Sequence, residues 1–195
     1  GDRRAPAAFV TTRVDGAWYV SLTYSVLDAA AGSKRDRVVL DAPITAGGAA
    51  TPEAAAGQAF EHFMGADMGW IDRPFLDVID PVSGEAFHRY LPVWELDSDP
   101  AEPNYRRSQW KVTGSGTWRT ASLTSLEMRE DAASPWDQLR MDDCPSSAAD
   151  ELLASMCEST RHVSVALVER DGRWYIDPIE SAGRLLSWII QGRAT

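Results

Sequence analysis

Few groups in this chain are able to do acid–base or nucleophilic chemistry. The three histidines are His62, His88 and His162. His62 sits in an apolar stripe of helical spacing beside Phe63, and His162 opens a strand pattern. His88, in Ala86-Phe87-His88-Arg89-Tyr90, is the best placed of the three to face a cavity. None has a metal-ligand spacing such as H-E-x-x-H. The carboxylates Asp72, Asp77 and Asp80 gather round the apolar run 75–79. On the wall of an apolar cavity such a carboxylate has a raised pKa and can shuttle a proton. The plainer reading of Asp72 and Asp77 is a helix cap and a solvated face. Asp142-Asp143 falls short of a calcium loop. The serines form no G-x-S-x-G elbow, and Gly114-Ser115-Gly116 is too short to cradle a phosphate. No metal or cofactor is therefore expected. The eight tryptophans read first as core and hairpin residues. The sharper reading is an aromatic groove for a small apolar ligand or a partner protein. It would be lined by Trp70, Trp94, Trp110 and Trp118, with Asp72, Asp77 and His88 as its polar groups.

The two cysteines, Cys144 and Cys157, have no zinc spacing. They are either two separate buried thiols or one disulfide tying a loop to the end of the following helical pattern. The disulfide is the preferred reading, and it favours an oxidising compartment. The formal charge of −10 and pI near 4.7 argue against binding nucleic acid or an anionic lipid surface. No apolar run approaches the ~20 residues that span a bilayer, so no membrane insertion is expected from these residues. The opening Gly1-Asp2-Arg3-Arg4 lacks the apolar stretch of a signal peptide and reads as the start of an excised fragment.

A repeat organises the chain. Asp15-Gly16-Ala17-Trp18-Tyr19-Val20 recurs as Asp171-Gly172-Arg173-Trp174-Tyr175-Ile176, and both copies lead into a helix-compatible tail. Asp-Gly between two β-type runs predicts a two-residue type I′ hairpin, because glycine accepts the positive φ the turn requires. The expected organisation is the terminal hairpin and helix of a truncated first unit over 1–30, a linker over 31–50, and a complete domain over 51–195. A lone hairpin is not stable in water, so the first one should pack on the complete unit or on another chain.

Within the complete unit, Thr51-Pro52-Glu53 reads as a helix start. Ala56, Phe60, Phe63 and Met64 form its apolar stripe. One or two short helices are expected over 70–79, ended by Asp80-Pro81. Residues 85–91 read as a helical turn or a strand. Strands are expected over 109–113 and 117–128, a helix over 148–157, a strand over 162–168, and a closing helix striped by Leu185, Leu186, Ile189 and Ile190. Helices, then an antiparallel meander, then a helix make an α+β domain: a curved antiparallel sheet with helices packed on one face.

That order, with the terminal Asp-Gly-x-Trp-Tyr hairpin, resembles the nuclear transport factor 2-like fold over about 51–180. It is most similar to exported tandem domains of actinobacterial membrane proteins, in keeping with 17 arginines against only Lys34 and Lys111. The inserted 148–157 helix departs from the simple fold. The resemblance implies a conical cavity between the first helix and the sheet, and a homodimer through the sheet face. The functional expectation is a non-enzymatic extracytoplasmic binding or sensory module. The alternatives are a small cone-fold isomerase, dehydratase or hydrolase with Asp72, Asp77 or His88 as base, and a structural spacer.

Overall fold

The computed structural model describes residues 9–38, 40, 43–65, 73–94, 105–129, 134–144, 154, 157 and 160–192. The chain opens with a two-stranded hairpin, β1 (Thr11–Val14) and β2 (Ala17–Val20), followed by α1 (Leu22–Ala31) and a 3-10 turn over Gly32–Arg37. The unit beyond it contains α2 (Pro52–Gly65), α3 (Arg73–Asp77) and α4 (Glu85–Trp94). Next come β3 (Tyr105–Ser115), β4 (Trp118–Met128) and β5 (Asp137–Arg140), then β6 (Ser164–Arg170), β7 (Arg173–Asp177) and α5 (Pro178–Gly192). Ala154, Cys157 and Thr160 are helical, which places residues of the expected 148–157 helix before β6.

The α+β class is as expected. The main sheet has five antiparallel strands in the order β3-β4-β6-β7, with β5 also paired to β4. β6 takes the first half of β4 (Trp118 to Ser122) and β5 the last (Ser125 to Met128), so β4 anchors both ends of the sheet. The β3–β4 register slips on either side of Gln109, and Arg107 takes a positive φ of 49°. These are bulges, which bend a ladder and break the alternation of its side chains. Leu123, Leu126 and Met128 therefore all join one cluster with Phe60, Tyr105, Leu139, Met141 and Cys157.

The helices do not share one face of the sheet, and this corrects the expected layering. On one side Ala55, Ala56 and Ala59 of α2 pack against Ala121, Leu167, Trp174 and Ile176. Thr120 and Ala166 are one residue out of phase with Ala121 and Leu167, so they point the other way, and with them lie Glu180 and Arg184 of α5. The small side chains of α2 let its backbone approach the strands closely. Phe60 then meets Trp110 edge-on at 5.6 Å and Tyr105 at 6.1 Å. Phe60 is buried and Trp110 half-buried, so aromatic packing joins α2 to β3 at this point.

Cys144 and Cys157 form a disulfide with Cα atoms 5.6 Å apart, and Cys157 is fully buried. The bond ties the end of the β5 turn to helical residue 157, beneath the second core cluster. Closing a loop of this separation, 13 residues, stabilises by about 3 kcal/mol in the chain-entropy account. Cys144→Ala with Cys157→Ala should lower the unfolding free energy by about that amount in urea titration. Dithiothreitol should bring the unaltered chain to the same midpoint.

The first hairpin is joined to the rest of the chain by its helix. Leu27 and Ala31 of α1 are buried against Ala86 and Tyr90 of α4, and Tyr24 meets Tyr90 edge-on at 6.1 Å. The Tyr90 hydroxyl donates to Asp28 at 3.2 Å. Burial and the neighbouring Asp28 carboxylate push the Tyr90 hydroxyl up to about 12.

Candidate functional site

Of the seven residues expected to share a groove, Trp110, Trp118, Asp77 and His88 have described side chains. Trp70 and Asp72 lie outside the described residues, as does the side chain of Trp94 at the end of α4. Trp110 and Trp118 are on opposite faces: Trp110 pairs with Leu123 in the apolar layer, whereas Trp118 pairs with Val168 and is 52% exposed. The Trp110 ring is a packing element, its Nε1 donating to Ser108 Oγ at 2.9 Å.

Asp77 and His88 are brought together, around the turn from α3 to α4. Asp77 is exposed at the end of α3, and its carbonyl accepts the Gly48 N–H at 2.8 Å. His88 is half-buried, and among the described residues its Nε2 has no hydrogen-bond partner. Burial holds its imidazole below the ordinary histidine value, against the raising influence of the Ile79 backbone and the Asp77 charge. A base depressed in the folded state contributes stability above its ordinary value near 6.5. That contribution is lost as pH falls through the lower folded value. His88→Gln should flatten the stability profile between pH 7 and 5, read as the urea midpoint; an unchanged slope would assign it to another group.

Asp80, grouped in the sequence with Asp72 and Asp77 but left out of the expected groove, has a completely buried side chain. Its carboxylate is held by the guanidinium of Arg170, with Nη2–Oδ2 at 2.9 Å, and accepts the Ser83 N–H at 2.9 Å. Its own N–H donates to the Ile176 carbonyl at 2.8 Å. Gly84 closes the turn, and a Cβ there would overlap Ile79 Cγ2 and the Asp80 carbonyl. Burial pushes the Asp80 carboxyl up, but the hydrogen bonds from Arg170 and Ser83 outweigh it and hold it below the ordinary range. With every near partner engaged, this pair clamps the α3–α4 turn to the end of the β6 strand. It is not poised for proton transfer.

The face of the sheet opposite α2 is different in kind. Over β3, β4 and β5 it carries an open groove of about 620 Å³ lined by Gln109, Lys111, Thr124, Gln138, Arg140 and Asp142, among others. A smaller hollow of about 320 Å³ lies beside α5, with Trp118, Thr120, Glu180 and Arg184 on its walls. The groove follows from alternation: Lys111 pairs with Ser122 and so points away from the α2 layer that takes Val112 and Ala121. The bulge adds to it, the Thr124 hydroxyl donating to the Gln109 carbonyl at 3.0 Å. Arg140 is paired with Asp142 at 3.1 Å, and its hydrogen bonds hold the Asp142 carboxyl below the usual range. The lining offers hydrogen-bond donors and acceptors of both charges, without a nucleophile beside a base. In the sequence Gln109 stood out as the start of a strand and Asp142 as half of an acidic pair, neither as part of a groove; β5, which supplies Gln138 and Arg140, has a single buried side chain, Leu139, and no alternation to reveal it.

Among the described residues no three His, Cys, Asp or Glu side chains are placed to hold a metal ion, and no helix is long and apolar enough to cross a membrane. Comparison with protein-family models, with curated proteins and with solved structures finds no match.

Proposed function

We propose that this chain is a non-enzymatic, extracytoplasmic interaction module that engages a partner protein through the open face of β3, β4 and β5. The observation that carries the reading is the division of the sheet. Its α2 side is packed with alanine and aromatic side chains, while its other side keeps a groove of about 620 Å³ whose lining mixes polar and oppositely charged side chains with Leu123 and Met141. Such a surface suits the polar and charged groups of a protein better than a small apolar ligand. The Cys144–Cys157 disulfide supports a compartment outside the cytosol, where such bonds persist. The order of helices followed by a bulged antiparallel sheet supports the nuclear transport factor 2-like reading, with the cone of that fold filled around Phe60 and Trp110.

The test is site-specific photocrosslinking in the producing cell. A photoreactive residue at Gln138, in the groove, should form a defined adduct. The same residue at Glu53, exposed on α2, should not. Equal labelling from both positions, or none from position 138, would refute the sheet-face reading.

A further inference from the structure

The two hairpins agree well beyond their sequence motif. Their registers correspond pair for pair: Thr11 with Val20, Thr12 with Tyr19 and Arg13 with Trp18, against Leu167 with Ile176, Val168 with Tyr175 and Glu169 with Trp174. Asp15 and Gly16 turn with φ of 49° and 85°, Asp171 and Gly172 with 52° and 74°. Each following helix is capped from the equivalent position, Ser21 just after β2 and Asp177 at the end of β7: Ser21 accepts from the Tyr24 N–H, and Asp177 accepts from the Glu180 N–H. Each helix then sends a serine back to its own hairpin. Ser25 Oγ accepts the Val10 N–H at 2.9 Å, and Ser181 Oγ accepts the Ala166 N–H at 2.9 Å. The Asp-Gly motif contains neither serine.

Surroundings are where the two copies differ. Trp174, Tyr175 and Ile176 are 8%, 7% and 4% exposed, whereas Trp18, Tyr19 and Val20 are 68%, 57% and 54% exposed. What covers the second copy is explicit. β4 pairs along β6, Ala49 exchanges two backbone hydrogen bonds with Trp174, and residues 78–80 do the same with Ile176. The alanine face of α2 closes over Trp174 and Ile176.

We propose that β1, β2 and α1 are the closing hairpin and helix of a preceding unit of the same design, and that exposed Trp18 and Val20 on one face of β2 and Tyr19 on the other dock the body of that unit. The body would supply counterparts of Ala49, α2, residues 78–80 and β4. A second copy of this chain is the poorer occupant, because its own slot already holds β6 and β7, locked by Arg170 on buried Asp80. Val14 stands where Arg170 stands in the second hairpin, so exchange between copies would strand the Asp80 carboxylate without its cation. It follows that the preceding unit carries an uncharged residue at the position of Asp80. The α1–α4 contact then becomes the joint between consecutive units.

The experiment places residues 43–165 directly before Val10 of the full chain, so that Val10 to Ala31 takes the place of Ala166 to Ser187. The added segment is prepared both unchanged and with Asp80→Val. A reference polypeptide adds 43–187, with its own hairpin, before the full chain. Acrylamide quenching of Trp18 is taken as the difference from the matched Trp18→Phe polypeptide. In the full chain it should be that of an exposed indole. In the extended polypeptide it should fall several-fold, toward that of Trp174, with the Asp80→Val form the more stable. If Trp18 stays fully quenchable while the reference polypeptide folds both units, the proposal is wrong. Sedimentation of the full chain supplies the other arm. A monomer is expected, and a dimer abolished by Trp18→Ser would assign the face to a second copy instead.

Discussion

Replacing Arg170 by alanine should cost about 2–3 kcal/mol of unfolding free energy at neutral pH, less than when a wholly buried ion pair loses a partner, because the guanidinium is 37% exposed and water can replace part of it. Asp80 is wholly inside, and Arg170 is the cation that holds it. Without the guanidinium, the carboxylate keeps the Ser83 N–H as its polar contact among those that lower its pKa. The pH dependence gives the sign. In the unaltered chain the Asp80 carboxyl is depressed, so its stabilising contribution is complete above the ordinary carboxylate value near 4 and is lost as pH falls through the lower folded value. In Arg170→Ala burial dominates and the carboxyl rises. Acid then protonates it in the folded state first, and the gap between variant and parent narrows as pH falls. Asp80→Asn combined with Arg170→Met removes both charges while retaining an acceptor for the Ser83 N–H, and should recover most of the loss. Urea titrations of the three variants from pH 7 down to 4 measure this directly. A loss under 1 kcal/mol for Arg170→Ala would mean that water reaches Asp80 readily.

The local signals in the sequence translated well, and the long-range ones did not. The Asp-Gly turns and the Thr51-Pro52-Glu53 helix start each depend on a few adjacent residues, and each stands in the structure as read. The strand expected over 162–168 is there as well, but it begins at Ser164, and Ala166, Leu167 and Val168 are all buried instead of alternating. Residues 85–91 were ambiguous because aromatic and apolar residues there satisfy both periods. Packing of Ala86, Phe87 and Tyr90 against α1 and its neighbours decides for a helix. β5 is four residues long with one buried side chain, and it exists because the last residues of β4 need a partner. The Asp80–Arg170 pair spans 90 positions and leaves no pattern. Trp110 and Trp118 of the expected groove are separated for a related reason. Tryptophan content says that large rings exist, but register decides where they point, and the pairing of β3 with β4 sends Trp110 inward and Trp118 outward.

The second large effect belongs to Trp174, and it separates packing from motif. Trp174 and Trp18 occupy the same position in two hairpins of the same register and turn geometry. If the motif itself carried the stability, both substitutions to alanine would cost alike. Burial predicts otherwise. Trp174 lies in the main core cluster with Ala55, Ala56, Leu167 and Ile176, its ring has the Arg119 guanidinium 5.6 Å from its centroid, and its backbone is bridged to Ala49. Trp174→Ala removes that contact surface and leaves a cavity beneath α2, at about 3–5 kcal/mol. With domains of this size holding roughly 5–15 kcal/mol in all, the variant should be partly unfolded at physiological temperature. Trp18→Ala removes a ring already 68% in water and should stay within about 0.5 kcal/mol of the parent. Chemical denaturation of the two variants in parallel reads the difference. Equal losses would mean that the first hairpin is covered in this chain by contacts of its own, and its apolar face would then need no preceding unit.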